Sequence, residues 1–241
     1  MEHYGKRFYF IGSDYVYPRM SNKIMWEFVR TNGGEVVGEQ YLNLRAKPKD
    51  FIPVMKDIKE TQPDVIFSTV VGEATSTLYQ AYMDCGFDPK VMPIASLTTT
   101  EAEISDMGFD VGEGHITAAP YFDGLESEAN STFSARYKKR YGADEPTNMC
   151  LEAAYFQVHM FAKALEETNS LDTDLLRPTI LGSEFEAPQG KISINQGCSH
   201  ADLWTRIGKV NRGGRFDIMY ESKSRVSADP YLIGYSRSIA F

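Results

Sequence analysis

Between residues 8 and 122, short β-rich runs alternate with stretches whose apolar positions recur at helical spacing. That alternation predicts a parallel sheet assembled from βαβ units. Strands are expected at residues 8–11, 36–42, 64–71, 93–97 and 115–121. Between them Phe51, Val54, Met55 and Ile58 stand at i, i+3, i+4 and i+7, and Leu78, Ala81, Tyr82 and Cys85 repeat the spacing. Each set forms one apolar stripe along an amphipathic helix, so Cys85 is expected to pack inside. Gly33-Gly34 and Gly86 follow helical patterns where a left-handed residue would end them, and Pro63 marks the restart before a strand.

Past Asp123 the period changes. Phe133, Tyr137 and Tyr141 lie four apart, then Leu151, Ala154, Tyr155, Val158, Ala162 and Leu165 trace a second helical stripe with no clear strand between the two. A helical pair is expected, and Pro178 should kink or shorten the helix that residues 173–181 would otherwise form. Residues 191–195, 204–211 and 215–221, the last two flanking Arg212-Gly213-Gly214, read as a β-hairpin or meander. The expected fold class is therefore α/β, a doubly wound, mostly parallel sheet with extra helices and a C-terminal antiparallel β segment.

Composition narrows the chemistry. The 241 residues are 42% hydrophobic and 24% charged, ordinary for a chain with a sizeable core. Lys and Arg number 25 against 33 Asp and Glu, a net charge of -8, which repels a phosphate backbone and argues against direct nucleic-acid binding. No apolar run approaches the roughly 18 residues that span a bilayer, so no membrane insertion is expected. Cys85, Cys150 and Cys198 cannot all pair internally and show no metal-ligand spacing, and no two of the four histidines stand at i, i+4. Neither a disulfide framework nor a metal site is indicated. The odd cysteine count leans toward the cytoplasm; no signal-like segment precedes residue 8, so either the protein is cytosolic or its true beginning lies upstream.

In an open parallel sheet, ligands bind where the loops at the strands' carboxyl ends converge with helix amino ends. Here those loops are residues 12–18, 70–73, 96–100 and 120–123. They carry tyrosine rings, hydroxyls and backbone amides, a lining suited to a small neutral polar molecule. Helix capping and ligand contact both stand as readings of Thr98 to Thr100. Tyr15 and Tyr17, if extended, would point in opposite directions. No phosphate-binding glycine motif and no G-x-S-x-G elbow occurs, and no cofactor is implied. Glu101 and Glu103 read as an acidic first helical turn, His115 as a solvated strand start, Lys138-Lys139-Arg140 as a solvated face, and Asn130-Ser131-Thr132 as a glycosylation pattern common by chance.

Residues 11–19, 67–72, 94–99 with Glu101-Ala102-Glu103, and 119–122 resemble the short-chain amide and urea receptors of the type I periplasmic-binding-protein superfamily. Glu186-Ala187-Pro188-Gln189-Gly190 and Asp229-Pro230-Tyr231 extend the likeness over nearly the whole chain. It is closest to cytosolic amide sensors that regulate amidase expression, then to urea-binding components of ABC transporters. The resemblance implies two hinged α/β lobes closing over ligand. It maps about residues 7–121 to the second lobe, 126–182 to helices of a first lobe otherwise missing, and 188–235 to a β tail returning toward the second lobe, as in an amino-terminally truncated fragment. It further implies ligand contacts from Tyr15, Tyr17, Val71, Gly72, Ser96, Leu97, Thr98 and Tyr121.

An amide or urea offers a carbonyl acceptor and N–H donors without net charge, so a neutral pocket pairs it without desolvating an ion. The implied protein is non-catalytic, its closed shape read by a regulator protein in the cytoplasm or by an ABC permease from the periplasm, with a homodimer also in view. An α/β enzyme acting on a small amide, and the effector-binding domain of a LacI-type repressor, are the alternatives.

Overall fold

A computed structural model describes residues 1 and 3–230. It divides into two compact units, the first formed by Met1–Ala118 with Gly208–Asp217, the second by Ala119–Ile207 with the stretch from Ile218.

The larger sheet runs in the order β10 (Phe216–Glu221), β9 (Arg206–Val210), β5, β4, β3, β1, β2, and the first unit holds all of β1 to β4 with parts of β5, β9 and β10. Its parallel strands are β1 (Arg7–Ser13), β2 (Glu35–Leu42), β3 (Val65–Thr69), β4 (Ile94–Ser96) and β5 (Ile116–Ala119). Each lies within or against a stretch expected from the periodicity. The strands are apolar on both faces because helices cover both. Tyr9, Ile11 and Ile66 pack with Phe51, Val54, Met55 and Ile58 of α2 (Pro48–Thr61) and Leu78, Tyr79 and Tyr82 of α3 (Glu73–Asp84). Their neighbours Phe8, Phe10, Val65 and Phe67 point the other way, against Val29 and Met25 of α1 (Val16–Thr31). This is a doubly wound α/β sheet, as expected.

Chain order reverses between β1 and β3: β1 leads outward to β2, whereas β3 leads the opposite way to β4 and β5. Such a switch point splays the two following loops apart and leaves a crevice at the strands' carboxyl ends. Two short helices, α4 (Glu101–Met107) and α5 (Phe109–Gly112), connect β4 to β5.

In the second unit α6 (Glu128–Tyr141), α7 (Met149–Thr168) and α8 (Thr173–Ile180) accompany an antiparallel sheet of β6 (Glu184–Ala187), β7 (Gly190–Ile194) and β8 (Ala201–Asp202). The antiparallel tail is thus split. Strands β6 to β8 form their own sheet, while β9 (Arg206–Val210) and β10 (Phe216–Glu221) extend the parallel one beyond β5. Tyr231 and residues 231–235 of the expected tail lie outside the described residues.

Several expectations are corrected by packing. On α7 the buried face is Glu152, Phe156, Met160 and Ala164, whereas Val158 is 67% exposed. The helix is apolar around much of its girth, and contact with Ala187 and Ile192 selects the face that periodicity left open. Cys85 is exposed because it is the C-cap of α3, where the helical stripe has already turned away from the core. His115 is buried, edge-on to the rings of Tyr79 and Tyr82 at 4.8 Å from each. Pro178 falls in the last turn of α8, which ends two residues later.

Candidate functional site

The loops after β1, β3 and β4 are fastened to one another by their own polar groups. The Val71 N–H donates to Ser13 Oγ at 3.1 Å, bridging the switch point. Thr98 Oγ1 donates to the Val70 carbonyl at 2.6 Å, and Leu97 N–H to the Ser68 carbonyl at 3.3 Å, joining β4's end to β3's. Ser96 Oγ accepts from the N–H groups of Thr98 and Thr99 at 2.9 and 3.0 Å, which curls the loop back onto its own strand. Thr99 Oγ1 donates to Ser96 Oγ and meets the Tyr79 hydroxyl. Burial pushes that hydroxyl's pKa well above its ordinary value, so it remains a proton carrier in a neutral network.

These bonds decide the two readings of the threonine run. Thr100 is the helix cap: its hydroxyl accepts from Ala102 N–H, while Glu103 reaches back to the Thr100 N–H at 2.7 Å. Thr98 is a loop clasp. The hydroxyls of Ser96, Thr98 and Thr99 bond to one another, to Tyr79 and to backbone, and none is paired with a base.

Tyr15 is the extended N-cap of α1 and Tyr17 lies in its first turn, with ring centroids 6.1 Å apart. The helix begins between them, so they are neighbours rather than opposed as an extended run would have made them. Beside them Asp14 accepts from Arg19 Nε at 2.8 Å, and the Arg19 guanidinium lies 4.3 Å from the Tyr41 ring centre. Gly72 caps α3 at φ 66, ψ -149, exposed and free of any neighbour where a Cβ would stand. A hollow of about 530 Å³ is lined by Val71, Gly72 and Glu73 together with Leu44, Arg45 and Lys47. Those last three follow β2, another strand end of the same kind; the rule that selected the other loops would have found them.

Tyr15, Tyr17, Val71, Gly72, Ser96, Leu97 and Thr98 all sit at the carboxyl ends of β1, β3 and β4, adjacent strands of the first unit. Tyr121 belongs to the second unit. There it is 1% exposed, and its hydroxyl meets Asn130 Oδ1 and Thr147 Oγ1, each at 2.6 Å. Thr147 donates onward to Asp123, which also receives Lys138 at 2.8 Å and Ser134 at 3.0 Å. Burial alone would raise the Asp123 carboxyl; Lys138 and the hydroxyl bonds outweigh it and hold it below its ordinary value. Lys138 is therefore tied inward rather than part of a solvated run. Asn130 is buried with Nδ2 donating to the carbonyls of Asp123 and Leu125, which withdraws the glycosylation pattern from solvent.

Among the described residues no group of three His, Cys, Asp or Glu side chains could hold a metal ion, and no helix is long and apolar enough to cross a membrane.

Residues 1–237 match the family model described as periplasmic binding protein domain. The chain is 23% identical over 235 residues to Leu/Ile/Val-binding protein homolog 4 of Brucella melitensis, covering 96% of this chain and 53% of that protein. It is 29% identical over 126 residues to a protein named limonene hydroxylase from Geobacillus stearothermophilus, covering 52% of this chain and 23% of the other. Its fold is similar to an ABC-transporter solute-binding protein of Rhodopseudomonas palustris in complex with 4-hydroxybenzoate, with TM-score 0.85 and 23% identity. That likeness covers 95% of this chain and 63% of the other. The chain thus spans about half the length of the Brucella relative and less than two thirds of the others.

Proposed function

The chain belongs to the periplasmic binding protein domain family, matched over residues 1–237, and from that premise we propose that it is a non-catalytic receptor for a small uncharged amide or urea. The switch-point loops form the binding wall. Tyr15 and Tyr17 supply aromatic surface and hydroxyls; the N–H groups of Val71, Leu97 and Thr98 are held by Ser13, Ser68 and Ser96, so the backbone meets the ligand through the Gly72 N–H and the carbonyls of Val71, Leu97 and Thr98. Tyr121 acts indirectly, by fixing the stretch of chain that follows β5.

The observation that carries this reading is the internal closure of the hydroxyl network. Ser13, Ser96 and Thr98 are committed to positioning backbone and Thr99 to the hydroxyls of Ser96 and Tyr79, so the loops present fixed dipoles and no activated nucleophile. Fixed dipoles match a neutral hydrogen-bonding ligand at little reorganisation cost. Ligand acts by its differential affinity for one arrangement of the whole receptor. That arrangement is read by an ABC permease or by a regulator of amidase expression. The names of the family and of the Brucella relative describe binding proteins.

One feature favours a second reading. Arg45 and Lys47 line the same hollow as Gly72, and two cations suit a carboxylate; the Rhodopseudomonas neighbour holds 4-hydroxybenzoate. Amide-resolved NMR of the chain, titrated with acetamide, urea, leucine and 4-hydroxybenzoate, separates the two. Saturable shifts at Tyr15, Val71, Gly72 and Thr98 with acetamide or urea, and no ammonia released, support the proposal. Shifts with the carboxylates alone transfer it to the second reading, and sustained ammonia release makes the protein an enzyme.

A further inference from the structure

Away from the switch point, the outer faces of α2 and α3 leave a groove of about 940 Å³. Its α2 wall is Lys49, Ile52, Lys56 and Lys59, and its floor includes Met55, Ala81 and Met107. Ile52 stands 68% exposed in that wall. The far wall is Ser76, Thr77 and Gln80, closed at one end by Asp84 and Cys85. Nothing in the proposed receptor site uses this surface.

The charges on the two walls differ. Lys49, Lys56 and Lys59 lie along one side of α2 at spacings of seven and three, so they form a row. Lys56 has only a distant partner, Glu60 at 3.8 Å, and Lys49 and Lys59 have no ion pair among the described residues. A row of three lysines with a single long ion pair among them stands out on a chain of net charge -8. The opposite wall is uncharged except for Asp84, whose carboxylate is occupied by Gln80 Nε2 at 2.8 Å.

We propose that this groove docks an amphipathic helix of a partner protein whose apolar stripe is flanked on one side by acidic residues. The shape fits: α2 is 14 residues long, about 21 Å, so the groove accommodates three to four turns of a third helix laid between the two. Methionines on the floor adapt to the occupant's side chains, and Ile52 is the central apolar anchor. The lysine row sets polarity and register by pairing with the acidic flank. A second copy docked with its two-fold axis across the groove would oppose one lysine row with another, and with the axis along the groove the row would meet a wall whose one acid, Asp84, is already occupied by Gln80, so neither arrangement supplies the acidic flank.

The test uses a synthetic 18-residue helical peptide with leucines at i, i+4, i+7 and i+11 and glutamates along one flank, beside a twin with lysines replacing the glutamates. Methyl NMR of the chain should show the acidic peptide shifting Ile52, Met55 and Met107, with the switch-point loops unmoved. Ile52→Gln, and separately the triple Lys49→Glu, Lys56→Glu, Lys59→Glu, should each weaken binding at least tenfold in calorimetry. Because all four side chains are exposed, the thermal midpoint should stay put, which separates lost docking from lost folding. Three results would overturn the proposal: equal binding of the two peptides, binding of neither, or a sedimenting dimer that Ile52→Gln converts to monomer. The last would assign the face to a second copy.

Discussion

Arg206 Nε donates to Glu221 Oε2 at 2.6 Å, and the same guanidinium bonds the carbonyls of Pro120 and Gln189. Arg206 is 6% exposed at its side chain and Glu221 46%, so a buried cation is neutralised from the surface side and hydrogen-bonded from within. Three stretches distant in sequence, the exit from β5, the β6–β7 turn and the end of β10, are held on one planar fork. All four groups belong to the second unit.

Arg206→Met should destabilise that unit by about 3–5 kcal/mol, since it leaves two carbonyls without their donor and Glu221 without its counter-charge. Arg206→Lys should recover part of the loss but not all, because an ammonium cannot present the guanidinium's fork to three acceptors. Denaturant unfolding measures both; a loss below about 1 kcal/mol for the methionine variant would show that the fork is incidental.

The neighbouring carboxyl gives a pH signature. Glu152 is fully buried on α7, accepting from Gln189 Nε2 at 2.8 Å and from its N–H at 3.4 Å. Burial raises its pKa from 4.5 to about 7, against the lowering pull of Gln189 and Arg206. A group raised on folding takes up a proton as the chain folds. Its contribution is therefore fully present below about 4.5 and is lost as pH rises through about 7. Across that window the stability of the second unit should fall by about 1.4 kcal/mol per pH unit from this group, and Glu152→Gln should flatten the slope. An unchanged slope in the variant would place the titration elsewhere.

His115 sets the opposite trend in the first unit. Its Nδ1 accepts the Ile94 N–H at 2.9 Å, which requires the neutral ring, and burial lowers its pKa from 6.5 to about 3. The native form excludes a proton that the unfolded chain binds, so the contribution is full above about 6.5 and is lost as pH falls toward 3. His115→Asn keeps an acceptor near Nδ1 and removes the titration. The wild-type first unit should lose stability on acidification through this window more steeply than the variant does, as read by amide exchange at Ile94 and Phe67 between pH 7 and 4. Equal slopes would dismiss His115 as the cause.

The sheet was legible because βαβ units write two periods side by side: Phe8 to Ile11 alternate between two cores, while Phe51 to Ile58 keep a single stripe. The switch point was legible as a consequence, and with it the loops at Tyr15, Val71 and Thr98. Side-chain commitments were not. The capacity of a serine or threonine to bond is visible in sequence, but whether Ser96 spends it on the Thr98 and Thr99 amides depends on a loop conformation that no spacing encodes. His115 shows the same limit: its burial depends on Tyr79 and Tyr82 from a helix over 30 residues upstream. On α7 the failure is one of degeneracy, since a helix apolar on several faces needs its partner to choose among them.

Gly72 isolates backbone from side-chain effects in the proposed site. At φ 66 and ψ -149 it occupies a region essentially closed to other residues, yet a Cβ there would touch nothing. Gly72→Ala should therefore cost about 1–3 kcal/mol with no steric clash to relieve, or relax the turn between β3 and α3 to a permitted conformation. Either response moves the Val71 amide relative to Ser13 Oγ, because Val71 directly precedes Gly72 in the turn that fixes where that N–H points. Amide exchange at Val71 should accelerate, and the NMR shifts produced there by acetamide or urea should shrink. Wild-type stability together with unaltered exchange at Val71 would mean that the turn tolerates a side chain and that its geometry does not organise the loop.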